Sequence, residues 1–149
     1  MKSGKQINCL PDFFYICIHI FLKIMNSKKL IRSFGYAIKG IKSVVSTETN
    51  MQIHLIIGLL VIICGFLFSI SLTEWMLCLI CIGLVFGMEM INTAIEKIVD
   101  LVSPESHPLA GLAKDIAAGA VLICAFISVV VGLTIFIPKG LALLISVLQ

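Results

Sequence analysis

Three long apolar runs follow one another between residues 53 and 137 of this chain. They cover about residues 53–70, 75–98 and 116–137, and each is close to the length that an α-helix needs to cross a bilayer. The first run carries no charged residue, and the second opens with Trp75, a residue typical of the membrane–water interface. The pattern predicts an all-α membrane protein with three transmembrane helices.

A different pattern precedes the first run. Over residues 28–46, apolar and basic residues recur at helical spacing, with Leu30, Phe34, Ile38 and Ile41 on one face. The opposite face carries most of the basic side chains, which are Lys28, Arg32, Lys39 and Lys42. This pattern predicts an amphipathic helix that lies in the plane of the membrane surface.

Composition and charge distribution agree with a membrane location. Of the 149 residues, 60% are hydrophobic and 13% are charged, against about 25% charged in ordinary soluble domains. Eight of the eleven Lys and Arg residues precede residue 50, directly before an apolar run, so the expected partner of this basic arm is an anionic membrane surface and not nucleic acid. The turn at 71–74 has no Lys or Arg, which predicts a cytoplasmic N-terminus and a C-terminus outside.

Residues 1–26 form an N-terminal extension whose role the sequence leaves open. Its apolar stretch is interrupted by Pro11 and Asp12 and is short for a span. An additional helix, a signal-like segment and a natural start at Met25 are the three interpretations. The last is favoured, because the residues after Met25 resemble an ordinary cytoplasmic N-terminus. Residues 27–149 are then one membrane domain.

Proline and glycine positions refine these elements. The loop at 103–108 contains two prolines and breaks the second helix, and Pro138 is predicted to end the third span. Gly83 and Gly87 form a GxxxG pair, which favours close packing of helices.

Cysteines are not expected to form a metal site. The chain has six, and Cys78 and Cys81 alone have a CxxC spacing. That pair has no second pair and no nearby His, so small packing residues are the favoured interpretation.

A polar stripe begins inside the second apolar run. At 100° per residue, Glu89, Asn92, Glu96 and Asp100 fall on one narrow face of a helix. Each charge near the centre of a bilayer helix costs about 2.5–3.5 kcal/mol on insertion scales. We therefore expect a bound metal ion and phosphate groups to offset this cost.

The donor types of the stripe indicate its chemistry. Carboxylate oxygens without a Cys or His cage favour Mg²⁺, which usually binds one or two carboxylates together with substrate phosphates. A nucleotide is therefore a natural ligand, with Lys114 against its phosphates and Glu89 as the base for an attacking hydroxyl. Because Glu89 lies below the membrane surface, that hydroxyl must belong to a lipid. The pattern predicts a lipid-phosphorylating enzyme.

Three segments together resemble the small prokaryotic diacylglycerol kinase family. They are EMINTAIEKIVD at 89–100, SPESHPLA at 103–110 and AKDIAAGAV at 113–121, within a resemblance that covers about residues 28–137. The family implies ATP and Mg²⁺ as phosphoryl donor and cofactor, and a bacterial inner-membrane homotrimer of three-span subunits with shared active sites. The version of the loop found here is similar to Gram-positive members, which phosphorylate undecaprenol.

The resemblance also implies roles for individual residues. Glu89 would be the general base that contacts the lipid hydroxyl, and Glu48 and Glu96 would hold the metal ion. Asn92 and Asp100 would complete the polar site. The residues expected to face ATP are Lys29, Tyr36, Glu48, Glu96, Glu105, His107, Lys114 and Asp115.

One of these positions departs from part of the family. Diacylglycerol-specific members have Arg where this chain has Lys29, and Lys cannot make a bidentate contact. The resemblance therefore supports an ATP contact at Lys29 less strongly than at the other positions.

The sequence leaves several questions open. The favoured acceptor is undecaprenol, with diacylglycerol as the alternative, and a small proton or cation transporter is the alternative from another class. The pattern does not assign roles to Asn50, Gln52 or His54, and it does not reveal which subunit donates each residue to a shared site.

Overall fold

The computed structural model describes residues 15–16, 18–20, 28–105 and 107–148, and for residues 28, 29 and 147 it describes the backbone alone. Long helices make up nearly all of this part, and they are α1 (Lys28–Thr47), α2 (Thr49–Leu67), α3 (Leu72–Val102) and α4 (Pro108–Leu148). By length and composition, α2, α3 and the Pro108–Ser146 part of α4 can each cross a membrane. The predicted all-α fold with three membrane-spanning helices is confirmed.

Contacts divide the chain into two units, residues 1–42 and residues 43–149. Most of α1 belongs to the first unit. Its apolar residues include Phe34 and Ile38, which are both exposed, while its basic residues lie on another face. Helix α1 therefore has the composition of a membrane-plane helix, as predicted.

The predicted extension, residues 1–26, is described only at 15–16 and 18–20, which are helical. Its other residues lie outside the described part of the chain. The interpretation of this segment and the proposed start at Met25 therefore stay predictions.

A capped turn joins α2 to α3 at one end of the spans, called here the turn end. The Glu74 amide donates to the Ser71 hydroxyl at 3.3 Å, and the Ser71 amide donates to the Glu74 carboxylate at 2.7 Å. This reciprocal capping box starts α3 at Leu72, three residues before the predicted Trp75. The Glu74 carboxylate also lies 3.3 Å from the Lys139 ammonium, which ties α3 to α4 at this end.

Within the described chain, close helix approach occurs at two glycines of α2, Gly58 and Gly65. A Cβ added at Gly65 would come within 2.7 Å of the Trp75 ring, and one at Gly58 would also contact α3. Around Gly83 and Gly87, by contrast, no described atom lies within 4 Å of an added Cβ. The GxxxG pair therefore does not pack against another helix of the same described chain, and the α2 glycines set the approach of α2 to α3.

Helix α4 is longer than the third span predicted from the sequence. It starts at Pro108, ahead of the span predicted at about 116–137, and proline is well suited to the first turn of a helix. It also continues through Pro138 to Leu148, although Pro138 cannot donate a hydrogen bond to the Thr134 carbonyl. Membrane-spanning helices tolerate such a loss, since neighbouring groups can satisfy the freed carbonyl. At about 60 Å, α4 exceeds the thickness of the hydrocarbon layer.

Candidate active site

Three polar side chains are buried next to one another on α3. Glu89 is 2% exposed, Asn92 5% and Thr93 2%. The Thr93 hydroxyl donates to the Glu89 carbonyl at 3.0 Å, so it is satisfied within its own helix. The Glu89 carboxyl is not engaged in that bond. The predicted stripe therefore places an acid inside the protein rather than towards lipid.

Asn92 and Glu96 continue this stripe by a direct contact. The Asn92 amide donates to the Glu96 carboxylate at 2.9 Å. The carbonyl oxygen of the same amide is buried and has no hydrogen-bond partner among the described residues. Leaving such an acceptor unpaired costs about 1–3 kcal/mol. A cation or a donor from a ligand would remove that cost.

Helix α2 and the residue before it bring further groups to Glu89. His54, Glu96, Glu48 and Asn50 all act electrostatically on its carboxyl. These groups lie at the end of the spans opposite the turn end, called here the charged end. The buried Glu89 carboxyl is thus under the electrostatic influence of two further acids, one on its own helix and one just before α2.

Glu48 occupies the N-cap position of α2 but does not cap it. Its side chain makes no cap hydrogen bond. Instead, its carboxylate accepts a bond from the Thr47 hydroxyl at 2.8 Å and lies 3.3 Å from the Lys97 ammonium. Thr47 first, and then Lys97, lower the pKa of the Glu48 carboxyl below its ordinary value. Glu48 is therefore a charged group turned towards α3.

A second polar group surrounds a pocket at the charged end of α3 and α4. The Lys114 ammonium forms an ion pair with the Asp100 carboxylate. Both residues line a cavity of about 490 Å³ together with Glu105 and His107. The His107 ring accepts a bond from the Leu109 amide at 3.2 Å, which fixes the loop at the start of α4. The cavity is large enough for part of a nucleotide.

Of the remaining predicted ATP residues, Asp115 belongs to the same unit of the chain as this pocket. Asp115 is exposed and does not line the cavity. Tyr36 belongs to the unit of residues 1–42 and is 70% exposed, with the Lys39 ammonium 5.9 Å from its ring centre. The side chain of Lys29 lies outside the described residues. The ATP roles of these residues stay predictions.

The side-chain donors of the described residues limit how a metal ion could bind here. In the part of the chain that the structure describes, no three His, Cys, Asp or Glu side chains converge closely enough to hold an ion. Mg²⁺ bound with a nucleotide needs only one or two carboxylates, the rest of its shell being phosphate and water. Glu48, Glu96 and the unpaired Asn92 carbonyl oxygen fit an ion that arrives with phosphates better than a resident ion.

Sequence reasoning missed Lys97, His54, Asn50 and Thr93 as parts of this site. Asn50 and His54 are four residues apart and so share one face of α2, a signal that was available. The pairing of Lys97 with Glu48 joins residues 49 positions apart, and no local pattern predicts it.

The fold and the site together define an integral membrane protein with a polar site sunk into the charged end of three spans. Residues 35–136 match the family Prokaryotic diacylglycerol kinase. The chain is 48% identical over 111 residues to the undecaprenol kinase of Bacillus subtilis, covering 74% of this chain and 90% of that protein. It is 38% identical over 117 residues to a diacylglycerol kinase of Synechocystis, covering 78% of this chain and 67% of that protein.

A further relative, the diacylglycerol kinase of Escherichia coli K12, is 29% identical over 102 residues, covering 68% of this chain and 84% of that protein. The chain belongs to the prokaryotic diacylglycerol kinase family and is a membrane lipid kinase. Because the chain belongs to a lipid kinase family, the lipid kinase interpretation is preferred to that of a small proton or cation transporter.

Proposed function

We propose that this protein transfers the γ-phosphoryl group of ATP to the hydroxyl of undecaprenol, giving undecaprenyl phosphate and ADP. The observation that carries the proposal is the buried Glu89 carboxyl at the charged end of the spans. A hydroxyl that reaches this depth must come from a membrane lipid. The 48% identity to an undecaprenol kinase, against 38% and 29% to two diacylglycerol kinases, favours the prenol.

Glu89 is the base in this reaction. Its carboxylate takes the proton of the lipid hydroxyl while that oxygen attacks the γ-phosphorus, and the bond from the γ-phosphorus to the bridging oxygen of ADP breaks. Asn50 acts on this carboxyl from the first turn of α2. His54 stands beside the same carboxyl from α2.

Mg²⁺ would be held by Glu48 and Glu96, with ATP supplying the remaining oxygens. When bound, the ion would neutralise charge on the phosphates. Asn92 orients the Glu96 carboxylate through its 2.9 Å hydrogen bond. Lys97 holds Glu48 ionised and turned towards α3 before the nucleotide arrives.

The nucleotide would occupy the pocket between α3 and α4. Lys114 would place its ammonium against the phosphates, exchanging the Asp100 carboxylate for them. Glu105 and His107 line the pocket where the remainder of the nucleotide would lie. Asp115, Tyr36 and Lys29 are assigned to ATP by family resemblance.

A homotrimer with shared active sites is proposed on two grounds. Large apolar side chains remain exposed along all three spans of one chain. The Gly83–Gly87 face of α3 has open space around it, which suits a helix of another copy. We place the charged end on the cytoplasmic side of a bacterial inner membrane, since ATP is cytoplasmic and the basic arm precedes that end.

The acceptor is tested with the purified protein in lipid nanodiscs, labelled ATP and a panel of lipid alcohols. Undecaprenol should be phosphorylated with a kcat/KM at least about tenfold above that of diacylglycerol. A preference for diacylglycerol would instead make the protein a diacylglycerol kinase that forms phosphatidic acid. Omission of Mg²⁺ should abolish turnover of either lipid.

A further inference from the structure

An apolar groove runs along the inside of the three spans. Helices α2 and α4 pack mainly against α3 rather than against each other, and this leaves a cavity of about 370 Å³ between the three. The groove extends from His54 and Phe86 towards Cys78 and Phe136 at the turn end. Its lining is almost wholly hydrocarbon.

The end of this groove nearest the charged end opens at the proposed base. His54 both lines the groove and acts on the Glu89 carboxyl. Val85 lines the groove and is buried one helical turn before Glu89, on the same face of α3. A molecule whose hydroxyl is at Glu89 can therefore continue directly into the groove.

We propose that this groove binds the hydrocarbon chain next to the hydroxyl of the lipid substrate, and that it takes one polyprenyl chain. The proposal rests on the proposed function, because it requires the hydroxyl at Glu89. At roughly 30 Å³ for a group the size of water or a methylene, the cavity holds about a dozen carbon groups. From Phe86 to Cys78 the groove is about 12 Å long. That length and volume match the first units of one chain rather than two chains side by side.

Small side chains provide the width that a methyl-branched chain needs. Gly58, Ala125 and Gly132 line the groove. Around Gly132, no described atom lies within 4 Å of an added Cβ, so the space beside it is open. Methyl branches of a prenyl chain would fill such gaps.

The polar lining does not suit the ester groups of diacylglycerol. Apart from its thiols, the groove is lined by two hydrogen-bonding side chains among the described residues, His54 and Ser128. The Ser128 hydroxyl already donates to the Cys124 carbonyl at 2.8 Å. His54 lies at the mouth, where it acts electrostatically on the Glu89 carboxyl. Undecaprenol is an allylic alcohol without ester carbonyls, so its chain leaves no unpaired hydrogen-bond acceptor inside the groove.

Native thiols allow a test on the unaltered protein. Cys81 lines the groove, whereas Cys64 and Cys124 do not, and all three are half-buried. Protein in nanodiscs without ATP is treated with a membrane-permeant maleimide, with and without undecaprenol, and labelling of each thiol is followed by mass spectrometry. Undecaprenol should slow labelling of Cys81 several-fold and leave Cys64 and Cys124 unchanged. Equal labelling of Cys81 with and without undecaprenol would overturn the groove.

A matched pair of variants tests the groove through kinetics. Gly132→Leu places an isobutyl group in the groove, while Gly140→Leu adds the same group to α4 outside it, at another glycine with open space. Gly132→Leu should raise the KM for undecaprenol at least about tenfold with the KM for Mg·ATP unchanged. An equal effect of both variants would count against the groove.

The two proposals fail in different ways. Turnover of undecaprenol without protection of Cys81 would leave the kinase reaction standing and remove the groove. Protection of Cys81 without turnover would keep the groove and remove the proposed reaction.

Discussion

The Glu48 carboxylate lies 3.3 Å from the Lys97 ammonium and joins the start of α2 to the last third of α3. Glu48 stands at a helix N-terminus, where an acid would ordinarily cap the helix, yet it makes no cap bond. Its carboxylate is instead held by Thr47 and Lys97, in a position from which it acts electrostatically on Glu89. This pair sets the position of one proposed metal ligand before the nucleotide binds.

Replacing Glu89 by Gln should lower kcat by about 10²–10⁴-fold, because a base contributes a factor of that size. Affinity for Mg·ATP should stay within about threefold of the unaltered protein, since Glu89 contacts the lipid hydroxyl. Turnover by labelled ATP and nucleotide binding by calorimetry measure the two effects. Glu74→Gln is the control, an acid on the same helix at the turn end. Normal turnover in Glu89→Gln would remove the base assignment.

Replacing Glu48 by Gln should weaken the binding of Mg·ATP and leave the free energy of unfolding nearly unchanged. Ion pairs as exposed as Glu48–Lys97 contribute about 0–1 kcal/mol to folding, so the free energy of unfolding should change little. The KM for Mg·ATP should rise about tenfold or more, through loss of a charged ligand. Lys97→Gln, which leaves the carboxylate in place, is the comparison and should have the smaller effect. The reverse order would place the metal elsewhere.

The charge of Glu48 should persist to lower pH than that of an ordinary glutamate. The Thr47 hydroxyl and the Lys97 ammonium lower its pKa, so its contribution to stability is present above the ordinary pKa and is lost as the pH falls through the lowered one. Thr47→Val should move this loss of stability to higher pH, because the Thr47 hydroxyl is the largest cause of the lowered pKa. Acid unfolding of the magnesium-free protein in nanodiscs measures the shift. The same pH dependence of acid unfolding in the variant and the unaltered protein would contradict this prediction.

Lys114→Met should raise the KM for Mg·ATP at least about tenfold, since charge-assisted contacts to phosphate are the strong ones. Asp100→Asn removes only the present partner of Lys114 and should have a smaller effect. Nucleotide binding without lipid separates the two variants. If Lys114→Met bound Mg·ATP normally, the pocket between α3 and α4 would not be the phosphate site.

Gly65→Ala should destabilise the protein, because the added methyl would meet the Trp75 ring at 2.7 Å. Overpacking of this kind costs about 1–3 kcal/mol, which outweighs the gain of about 1 kcal/mol in helix propensity. Gly140→Ala has open space around it and should be neutral or stabilising. Unfolding in mixed detergent micelles measures both. A stable Gly65→Ala variant would show that α2 and α3 can move apart at no cost.

Most of the fold is readable in the sequence because membrane spans are local features. Apolar runs predicted three spans, and the alternation over residues 28–46 predicted α1, observed as Lys28–Thr47. Helix ends were less accurate, since they depend on caps and neighbours. Ser71 starts α3 early, and α4 passes through Pro138.

The sequence by itself determined the class of protein and the polar stripe on α3, because helical periodicity fixes which residues of one helix share a face. Only the tertiary structure decided that Glu89 is buried, that Lys97 pairs with Glu48, and that Asn92 keeps an unpaired oxygen. Those facts depend on how α2 and α4 lie against α3. Contacts between helices join residues far apart in the chain, and no local pattern encodes them.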